Sequence, residues 1–521
     1  MENKFLNGLT NATNFTYTEN GAVTHRTTRS DLLDMFAMGA AMRKRTNEDV
    51  ILMFRKAFAE NPTYAMKCLF YIRDVRGGQG ERRFFRVCMK DLAVQHTDAV
   101  LRNLKYIPEF GRWDDLYVFV GTPVEDAAFA LIKEQLALDV SCKTPSLLAK
   151  WLKSENTSSV ESRKLGNITR TYLGMTHKQY RKTLSILRDK INVLERLMSE
   201  NRWDEIEFDK IPSRAGIIYR NAFARHDIER MKSEKEVQSY ADFAKDTTKK
   251  VNAKALYPYE CVAEAAKMMH CWGSYNWGSR IPDTGDTERL MVNKYWDNLE
   301  NYFNKSTFNG IAVVDTSGSM TGSEASAPIN VAISLGMYCA EKSVGPFAEH
   351  FITFSSHPEL VKVEGVDFCD KVRRVAGADW GMNTNVEAVF DLLLDTAIRN
   401  GCSQDEIPQN IIVISDMEFD RCATCGPAVS SGWRRGGDYI SDKATLFERI
   451  AQKWAAHGLN LPHMIFWNVD ARQNNIPMLG NGPISFVSGF SPSIFETIMS
   501  GKTGYDMMME KLDSERYSVI Q

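Results

Sequence analysis

The amino-acid sequence predicts a multidomain protein in which an all-α helical-repeat (HEAT-like) module is followed by an α/β doubly wound domain. The first half has successive amphipathic helical patterns, whereas the second half has short apolar runs that end on polar residues. The formal charge divides at the same place. Residues 306–521 hold 16 Lys and Arg against 26 Asp and Glu, a net charge of −10, and the preceding residues hold 48 against 40, a net charge of +8. A basic and an acidic half indicate different partners, with a polyanion for the first.

Clear start signals precede the helical patterns of the first half. Asn61 and Pro62 have the form of an N-cap and a first helical position. Thr176 and Gln179 have the form of a capping box ahead of another amphipathic run. Successive helices with short turns and no strict sequence period predict an irregular helical-repeat solenoid over residues 30–304.

The second half, residues 305–521, is predicted to contain a mainly parallel sheet. Its apolar runs, bounded by polar residues, are typical of strands that are buried on both faces. The predicted strands lie near residues 310–315, 350–354, 410–415, 463–467 and 484–488. Residues 1–29 are rich in Asn and Thr and are predicted to form a flexible N-terminal arm.

Hard oxygen ligands follow the first of these strands. The run that begins at Gly310 ends on Asp315, Ser317 and Ser319. In open α/β sheets, ligands bind just beyond the carboxyl ends of the strands. One carboxylate and two hydroxyls suit Mg²⁺ or Mn²⁺. The alternative is a purely structural Ser/Gly turn, which is common after a strand.

This stretch resembles the metal-ion-dependent adhesion site of von Willebrand factor A domains, whose pattern is Asp-x-Ser-x-Ser followed by a distant Thr and a distant Asp. Thr384 and Asp416 occupy the matching positions. The resemblance implies that Ser317, Ser319 and Thr384 bind the metal through their hydroxyls. It implies that Asp315 and Asp416 act directly or through waters. An open coordination position would then take an acidic group from a protein partner.

Five segments of the first half carry a second resemblance, and they are Tyr71–Arg83, Ile107–Leu116, Ser146–Trp151, Tyr180–Ser185 and Ile211–Ala215. They resemble the uncharacterised family named domain of unknown function 2828. In that family a helical module precedes a von Willebrand A domain, an arrangement similar to that of the Ro autoantigen, or TROVE, proteins. Ro proteins bind misfolded and small noncoding RNAs on a ring of helical repeats, so the resemblance implies RNA binding by residues 30–300 and a ribonucleoprotein.

Two groups of basic residues are candidates for RNA contact. Arg73 and Arg76 flank a glycine-rich turn whose backbone amides could hold a phosphate, although a helix C-cap with local salt bridges explains the turn equally well. Lys178, Arg181 and Lys182 make a basic helical face, for which simple solvation is the alternative.

Other patterns narrow the class of protein. Cys271–Arg280 contains aromatic residues that could stack on bases or join two domains. Ten scattered cysteines indicate a reducing compartment and hence a cytoplasmic protein, although the role of Cys422 and Cys425 stays open. No apolar stretch predicts a membrane span, and no catalytic motif predicts an enzyme. We therefore expect noncatalytic RNA binding with a metal-dependent protein contact, or else a protein-interaction scaffold without RNA.

Overall fold

The computed structural model describes residues 4–232, 237–269, 271, 286–303, 307–354, 358–378, 385–420, 444–479 and 483–521. The chain forms two compact units that interleave along the sequence. The sheet unit comprises Met1–Cys68, Leu256–Thr284 and Leu299–Ser514. The helical unit comprises Leu69–Ala255, Gly285–Asn298 and Glu515–Gln521. This division differs from the predicted boundary between residues 304 and 305, because a helical pattern does not reveal the unit against which the helix packs.

The described residues form α-helices along the whole chain. In chain order they are α1 (Lys4–Asn14), α2 (Asp31–Met38), α3 (Asn47–Glu60), α4 (Pro62–Arg73), α5 (Arg82–Gln95), α6 (Thr97–Asn103), α7 (Ile107–Phe110), α8 (Glu125–Ser141), α9 (Leu148–Trp151), α10 (Val160–Tyr172), α11 (His177–Lys190), α12 (Leu194–Ser199), α13 (Ser213–Arg225), α14 (Asp227–Arg230), α15 (Tyr240–Lys245), α16 (Pro258–Met268), α17 (Asp286–Asp297), α18 (Pro328–Lys342), α19 (Phe368–Val375), α20 (Val386–Asn400), α21 (Leu446–Ala456), α22 (Ile494–Ile498) and α23 (Gly504–Leu512). None of these described helices is long and apolar enough to cross a bilayer.

Two predicted helix starts are confirmed. Asn61 accepts a hydrogen bond from the Tyr64 amide at 3.1 Å, and α4 begins at Pro62. Thr176 accepts from the Gln179 amide, and the Thr176 amide donates to the Gln179 side chain at 2.8 Å, which completes a capping box at the start of α11. These caps satisfy amides that would otherwise have no partner in the first helical turn.

The helical unit contains no strand among its described residues, in agreement with the predicted all-α module. Helix α17 packs against α13 and α15 in this unit. Lys294 donates to the carbonyls of Phe243 and Asp246, both at 2.6 Å. Gly216 of α13 leaves room for the phenol of Tyr295, because a Cβ at this position would lie 1.8 Å from its hydroxyl. Residues 285–298 are therefore part of the helical core although they follow α16 of the sheet unit.

The sheet unit contains eight strands among its described residues. They are β1 (Phe15–Tyr17), β2 (Val23–His25), β3 (Gly310–Asp315), β4 (His350–Phe354), β5 (Glu359–Lys362), β6 (Asn410–Ser415), β7 (His463–Asn468) and β8 (Ile484–Ser488). The six-stranded sheet has the order β5-β4-β3-β6-β7-β8, and only β5 runs antiparallel to its neighbour. The five predicted strands are confirmed. Strand β5 was not predicted, because it is a short edge strand with three exposed residues.

Both faces of this sheet are covered, as expected for a doubly wound arrangement. Phe466 and Trp467 are consecutive in β7 and therefore point to opposite faces. The Phe466 ring lies 4.8 Å from that of Phe447 in α21, whereas the Trp467 ring lies 4.9 Å from that of Phe495 in α22. Phe495 in turn stacks on Tyr338 of α18. Helices on both sides explain the continuous burial of the central strands.

The N-terminal residues also belong to the sheet unit. The sequence predicts a flexible arm for residues 1–29, whereas the structure has β1 and β2 paired as a hairpin there. His25 and Ile476 exchange backbone hydrogen bonds of 3.0 and 2.9 Å. Thr18 donates to the Phe419 carbonyl at 2.6 Å. Threonine and asparagine side chains thus bond to the α/β domain, an arrangement that composition alone does not reveal.

Candidate functional site

The two aspartates of the predicted metal site lie at the ends of adjacent strands. Strands β3 and β6 are parallel neighbours, and Val314 pairs with Ile414. Asp315 ends β3 and Asp416 directly follows β6, so the register brings both to the carboxyl edge of the sheet. Both are buried, with 0% and 1% of their surface exposed.

The turn after β3 points its hydroxyls and amides towards Asp315. The Ser317 amide donates to Asp315 Oδ1 at 2.9 Å, and the Ser317 and Ser319 hydroxyl oxygens are 3.0 Å apart. Ser415, at the end of β6, donates to Asp315 Oδ2 at 2.5 Å. Both oxygens of the Asp315 carboxylate thus accept hydrogen bonds from the residues around them. Ser317, Ser319 and Asp315 are brought together as the sequence predicts.

The electrostatics of this edge favour a cation. Burial, the main cause, and the nearby charge of Asp416 together raise the pKa of Asp315 to about 7. Two buried carboxylates side by side are stabilised by a positive charge between or beside them. Two carboxylates and two hydroxyls are hard oxygen donors of the kind that Mg²⁺ and Mn²⁺ prefer, so the residues fit such an ion.

A positive charge is already present on one side of the site. Arg472 Nη2 donates to Asp416 Oδ2, and Arg472 Nη1 donates to the carboxylate of Glu19 at 2.8 Å. Glu19 belongs to the turn between β1 and β2. The pKa of Arg472 is raised because its bond to Asp416 and the surrounding acidic charges outweigh its burial. A metal ion at Asp416 would therefore compete with a guanidinium group.

A third buried acid, Glu418, lies beside this pair and was not predicted as a site residue. It accepts from the Glu19 amide at 2.6 Å and from Asn475 at 2.8 Å. Its pKa is raised to about 7, chiefly by burial and also by the charge of Asp416. Met417, between the two acids, has a left-handed φ of 64°. The only feature of the sequence that could have indicated Glu418 is its position two residues after Asp416, the aspartate that follows β6.

Some predicted features lie outside the described residues. These are Thr384, the pair Cys422 and Cys425, and the aromatic segment after Cys271. Within the part of the chain that the structure describes, no group of three or more His, Cys, Asp or Glu side chains is placed to hold a metal ion. A metal at the carboxyl edge would therefore depend on the serine hydroxyls as well as on Asp315 and Asp416.

The glycine-rich turn of the helical unit is built on internal ion pairs. Arg73 is only 2% exposed, and its Nη2 and Nε donate to Asp115 at 2.6 and 2.9 Å. Its guanidinium is therefore committed to a buried carboxylate rather than open to a phosphate. Arg76 is exposed and donates to the Glu109 carbonyl. Glu81 caps α5 by accepting from the Arg83 amide at 2.8 Å. These contacts give the turn a structural role, but the carboxylate that pairs with Arg73 belongs to Asp115, 42 residues away, and not to the turn itself.

Lys178, Arg181 and Lys182 all lie on α11 and are all exposed. Their spacing of three and four residues places them on one face of the helix. The opposite face packs inward through Tyr180, whose hydroxyl donates to the Lys153 carbonyl at 2.8 Å. The three cations thus form a basic patch that solvent reaches.

The fold consists of a helical module and a mixed α/β domain. The candidate sites are the carboxyl edge of the sheet and the basic patch on α11. The chain belongs to the family described as Domain of unknown function (DUF2828), which matches residues 18–164 and 143–306. Residues 309–519 match a second family, Domain of unknown function (DUF7788). The chain is similar to "Uncharacterized protein L728" of Acanthamoeba polyphaga mimivirus, with 31% identity over 533 residues that cover 95% of this chain and 86% of that protein. The predicted membership of the first family is confirmed.

Proposed function

We propose that the protein is a noncatalytic, Ro-like RNA-binding protein whose α/β domain resembles a von Willebrand factor A domain, binds Mg²⁺ or Mn²⁺ and engages an acidic group of a protein partner. The observation that supports the metal site is the convergence of Asp315 and Asp416 at adjacent strand ends, with Ser317 and Ser319 beside them. The ion would supply a positive charge and an open position for a carboxylate.

The RNA-binding part of the proposal is supported by the net charge of +8 over residues 1–305 and by the exposed patch on α11. Electrostatic contact with phosphates supplies most of nonspecific nucleic-acid affinity. Arg76 and the three cations of α11 remain candidates for this contact. Arg73 is left out because it is buried against Asp115. The eight cysteines that the structure describes as free thiols support a cytoplasmic location.

A metal-dependent protein-interaction scaffold without RNA is the second candidate. The burial of Arg73 and the internal pairing of the glycine-rich turn favour it, because they remove one predicted phosphate site. Copurified nucleic acid distinguishes the two. A ratio of absorbance at 260 to 280 nm that falls after RNase treatment supports RNA binding, and a ratio typical of pure protein before treatment favours the scaffold.

Titration calorimetry with Mn²⁺ tests the metal site. Asp315 is buried, so Asp315→Asn is the suitable variant because it keeps the side-chain shape and removes the charge. We expect Mn²⁺ binding by the unmodified chain and none by the variant. Equal affinities in two folded proteins would overturn the assignment. Asp395→Asn, on the exposed side of α20, is the matched control and should bind as the unmodified chain does.

A further inference from the structure

The helical unit contains a second concentration of charge, around the acids Asp114 and Asp115. Both acids are buried at the start of the 3₁₀ helix that spans Trp113–Phe119. We call the surrounding set the Arg112 cluster. It consists of the two acids and the cations Arg73, Arg82, Arg86, Arg112 and Lys153.

Asp115 is fully engaged inside the protein. It accepts from Arg73, from Arg86 Nε at 2.6 Å and from the Arg112 amide at 3.0 Å. Burial acts to raise the pKa of Asp115, but the charges and hydrogen bonds of Arg73 and Arg86 outweigh it and hold the pKa below its ordinary value. Gly111 permits this packing, since a Cβ there would lie 2.4 Å from Asp115 Oδ2. This half of the cluster is structural.

Asp114 is shared among several cations. Arg112 Nε lies 3.0 Å from Asp114 Oδ1, and Arg86 Nη2 lies 3.1 Å from Asp114 Oδ2. Lys153 Nζ is farther away, at 3.7 Å. One carboxylate cannot neutralise three cations, so positive charge is left over on this side of the cluster.

The charge balance indicates a missing anion. Four cations, those of Arg73, Arg86, Arg112 and Lys153, pair with the two carboxylates, which leaves a formal excess of +2. The charge of Arg82 acts on Arg112 in addition. The pKa of Arg112 is lowered, mainly by burial and also by the repulsion of Arg82 and Arg73, against the attraction of Asp114. Like charges held this close are destabilising unless a further negative group joins them.

The excess charge is accessible. The side chains of Arg86, Arg112 and Lys153 are 31%, 26% and 29% exposed, and Arg82 is exposed as well. The Arg112 guanidinium lies 4.1 Å from the ring centre of Trp151, which is half-buried. A planar guanidinium fixed on an aromatic ring is preorganised for bidentate contact with phosphate.

We propose that the Arg112 cluster binds a phosphodiester group of single-stranded RNA, with Arg82, Arg112 and Lys153 as the contacts. This inference rests on the proposed RNA binding and deepens it. The Lys153 carbonyl is held by Tyr180 of α11, so the segment with Lys153 is attached to the helix that presents Lys178, Arg181 and Lys182. One RNA strand can therefore use both positive surfaces.

The test uses the full chain and a fluorescently labelled single-stranded RNA of about 20 nucleotides. Arg82→Gln with Lys153→Gln removes two rim cations without touching the buried pair of Arg73 and Asp115. The matched control is Lys133→Gln with Lys164→Gln, two exposed cations on α8 and α10 of the same unit. Anisotropy titrations over a range of KCl concentrations give the affinity and its salt dependence.

Each lost phosphate contact removes about 0.7 from the slope of log affinity against log salt for single strands. We expect the Arg82/Lys153 variant to lose about 1.4 of slope, which corresponds to roughly 25-fold weaker binding at about 0.1 M salt, whereas the control stays close to the unmodified chain. If this variant binds like the control, or the control weakens equally, the inference is overturned while RNA binding stands. If the unmodified chain shows no salt-sensitive binding, the proposed RNA function fails and the inference with it.

Discussion

The phenol of Tyr517 donates a hydrogen bond of 2.9 Å to the carboxylate of Asp74, 443 residues earlier in the chain. Both residues are fully buried in the helical unit. Arg516 also donates to Asp74, and the Tyr517 ring stacks on Phe110. At the far end of the segment the Gln521 amide donates to Asn103 at 2.9 Å. Residues 515–521 are therefore an integral part of this unit.

Tyr517→Phe should destabilise the helical unit. The change keeps the aromatic packing but leaves one oxygen of a buried carboxylate with fewer donors, which costs about 1–3 kcal/mol. Urea unfolding followed by circular dichroism measures the loss. Tyr505→Phe is the control, because Tyr505 is 45% exposed and should change stability little. An unchanged unfolding curve for Tyr517→Phe would show that Arg516 and the Arg76 amide are sufficient partners for Asp74.

Arg472→Met should strengthen Mn²⁺ binding. The guanidinium occupies one oxygen of Asp416, and its removal frees that oxygen for the ion. We expect an increase of about tenfold, or ~1.4 kcal/mol, as measured by titration calorimetry. Arg399→Met, on the exposed surface of α20, is the control and should leave the affinity as it is. Weaker binding by Arg472→Met would instead mean that the arginine holds Asp416 in its binding position.

The basic patch on α11 gives a prediction for RNA affinity. Replacement of Lys178, Arg181 and Lys182 by Gln should flatten the salt dependence of single-stranded RNA binding by about 2 in slope, since each phosphate contact adds about 0.7. Removal of three other exposed cations of the helical unit, Lys133, Lys143 and Lys164, is the control for net charge. Equal effects of the two triple variants would indicate a diffuse field rather than a binding patch.

His463 makes stability depend on pH. Burial lowers its pKa to about 4, and its ring nitrogens lie 3.1 Å from Asn410 Oδ1 and 2.9 Å from the Ser485 hydroxyl. The unfolded chain binds a proton near pH 6.5, whereas the folded chain does so only near pH 4, so this stabilising contribution is present above pH 6.5 and is lost as the pH falls towards 4.

His463→Gln should therefore reduce the slope of unfolding free energy against pH between about 6.5 and 4. Urea unfolding at a series of pH values tests this expectation. His457→Gln, an exposed histidine just after α21, should keep the slope of the unmodified chain. A slope that is the same in all three proteins would place the proton uptake at other groups.

Much of the α/β fold could be predicted because buried parallel strands leave long apolar runs in the sequence. The positions of Asp315 and Asp416 at the ends of two such runs also place them near each other, because neighbouring parallel strands end at the same edge of the sheet. Arg73 shows the limit of this reasoning. Its charge is visible in the sequence, but the buried partner Asp115 lies 42 residues away. Arg472 and its partner Glu19 are 453 residues apart, a distance at which no local pattern can pair them.

Local sequence patterns also could not predict the unit to which each helix belongs. Helix α2 packs on the sheet, where Ser488 donates to the Phe36 carbonyl at 3.3 Å, whereas residues 285–298 pack in the helical unit. Helix α2 is apolar and buried over almost its whole length, whereas α17 is amphipathic, and neither pattern identifies the unit to which the segment belongs. Which apolar face a helix covers depends on contacts between distant parts of the chain, and hydrophobic periodicity gives only the existence of that face.

The interleaving of the two units has a consequence for biosynthesis. The ribosome makes Asp74 early, but the residues that neutralise and cover it, Arg516 and Tyr517, emerge only after residues 299–514 of the sheet unit have been made. Until then the nascent helical unit has at its core an aspartate that accepts from the Arg76 amide but lacks its charged partner Arg516 and the Tyr517 phenol. The last steps of folding in this unit must therefore wait until residues 515–521 have been made, and a premature stop codon late in the message would damage a unit most of which was translated before residue 256.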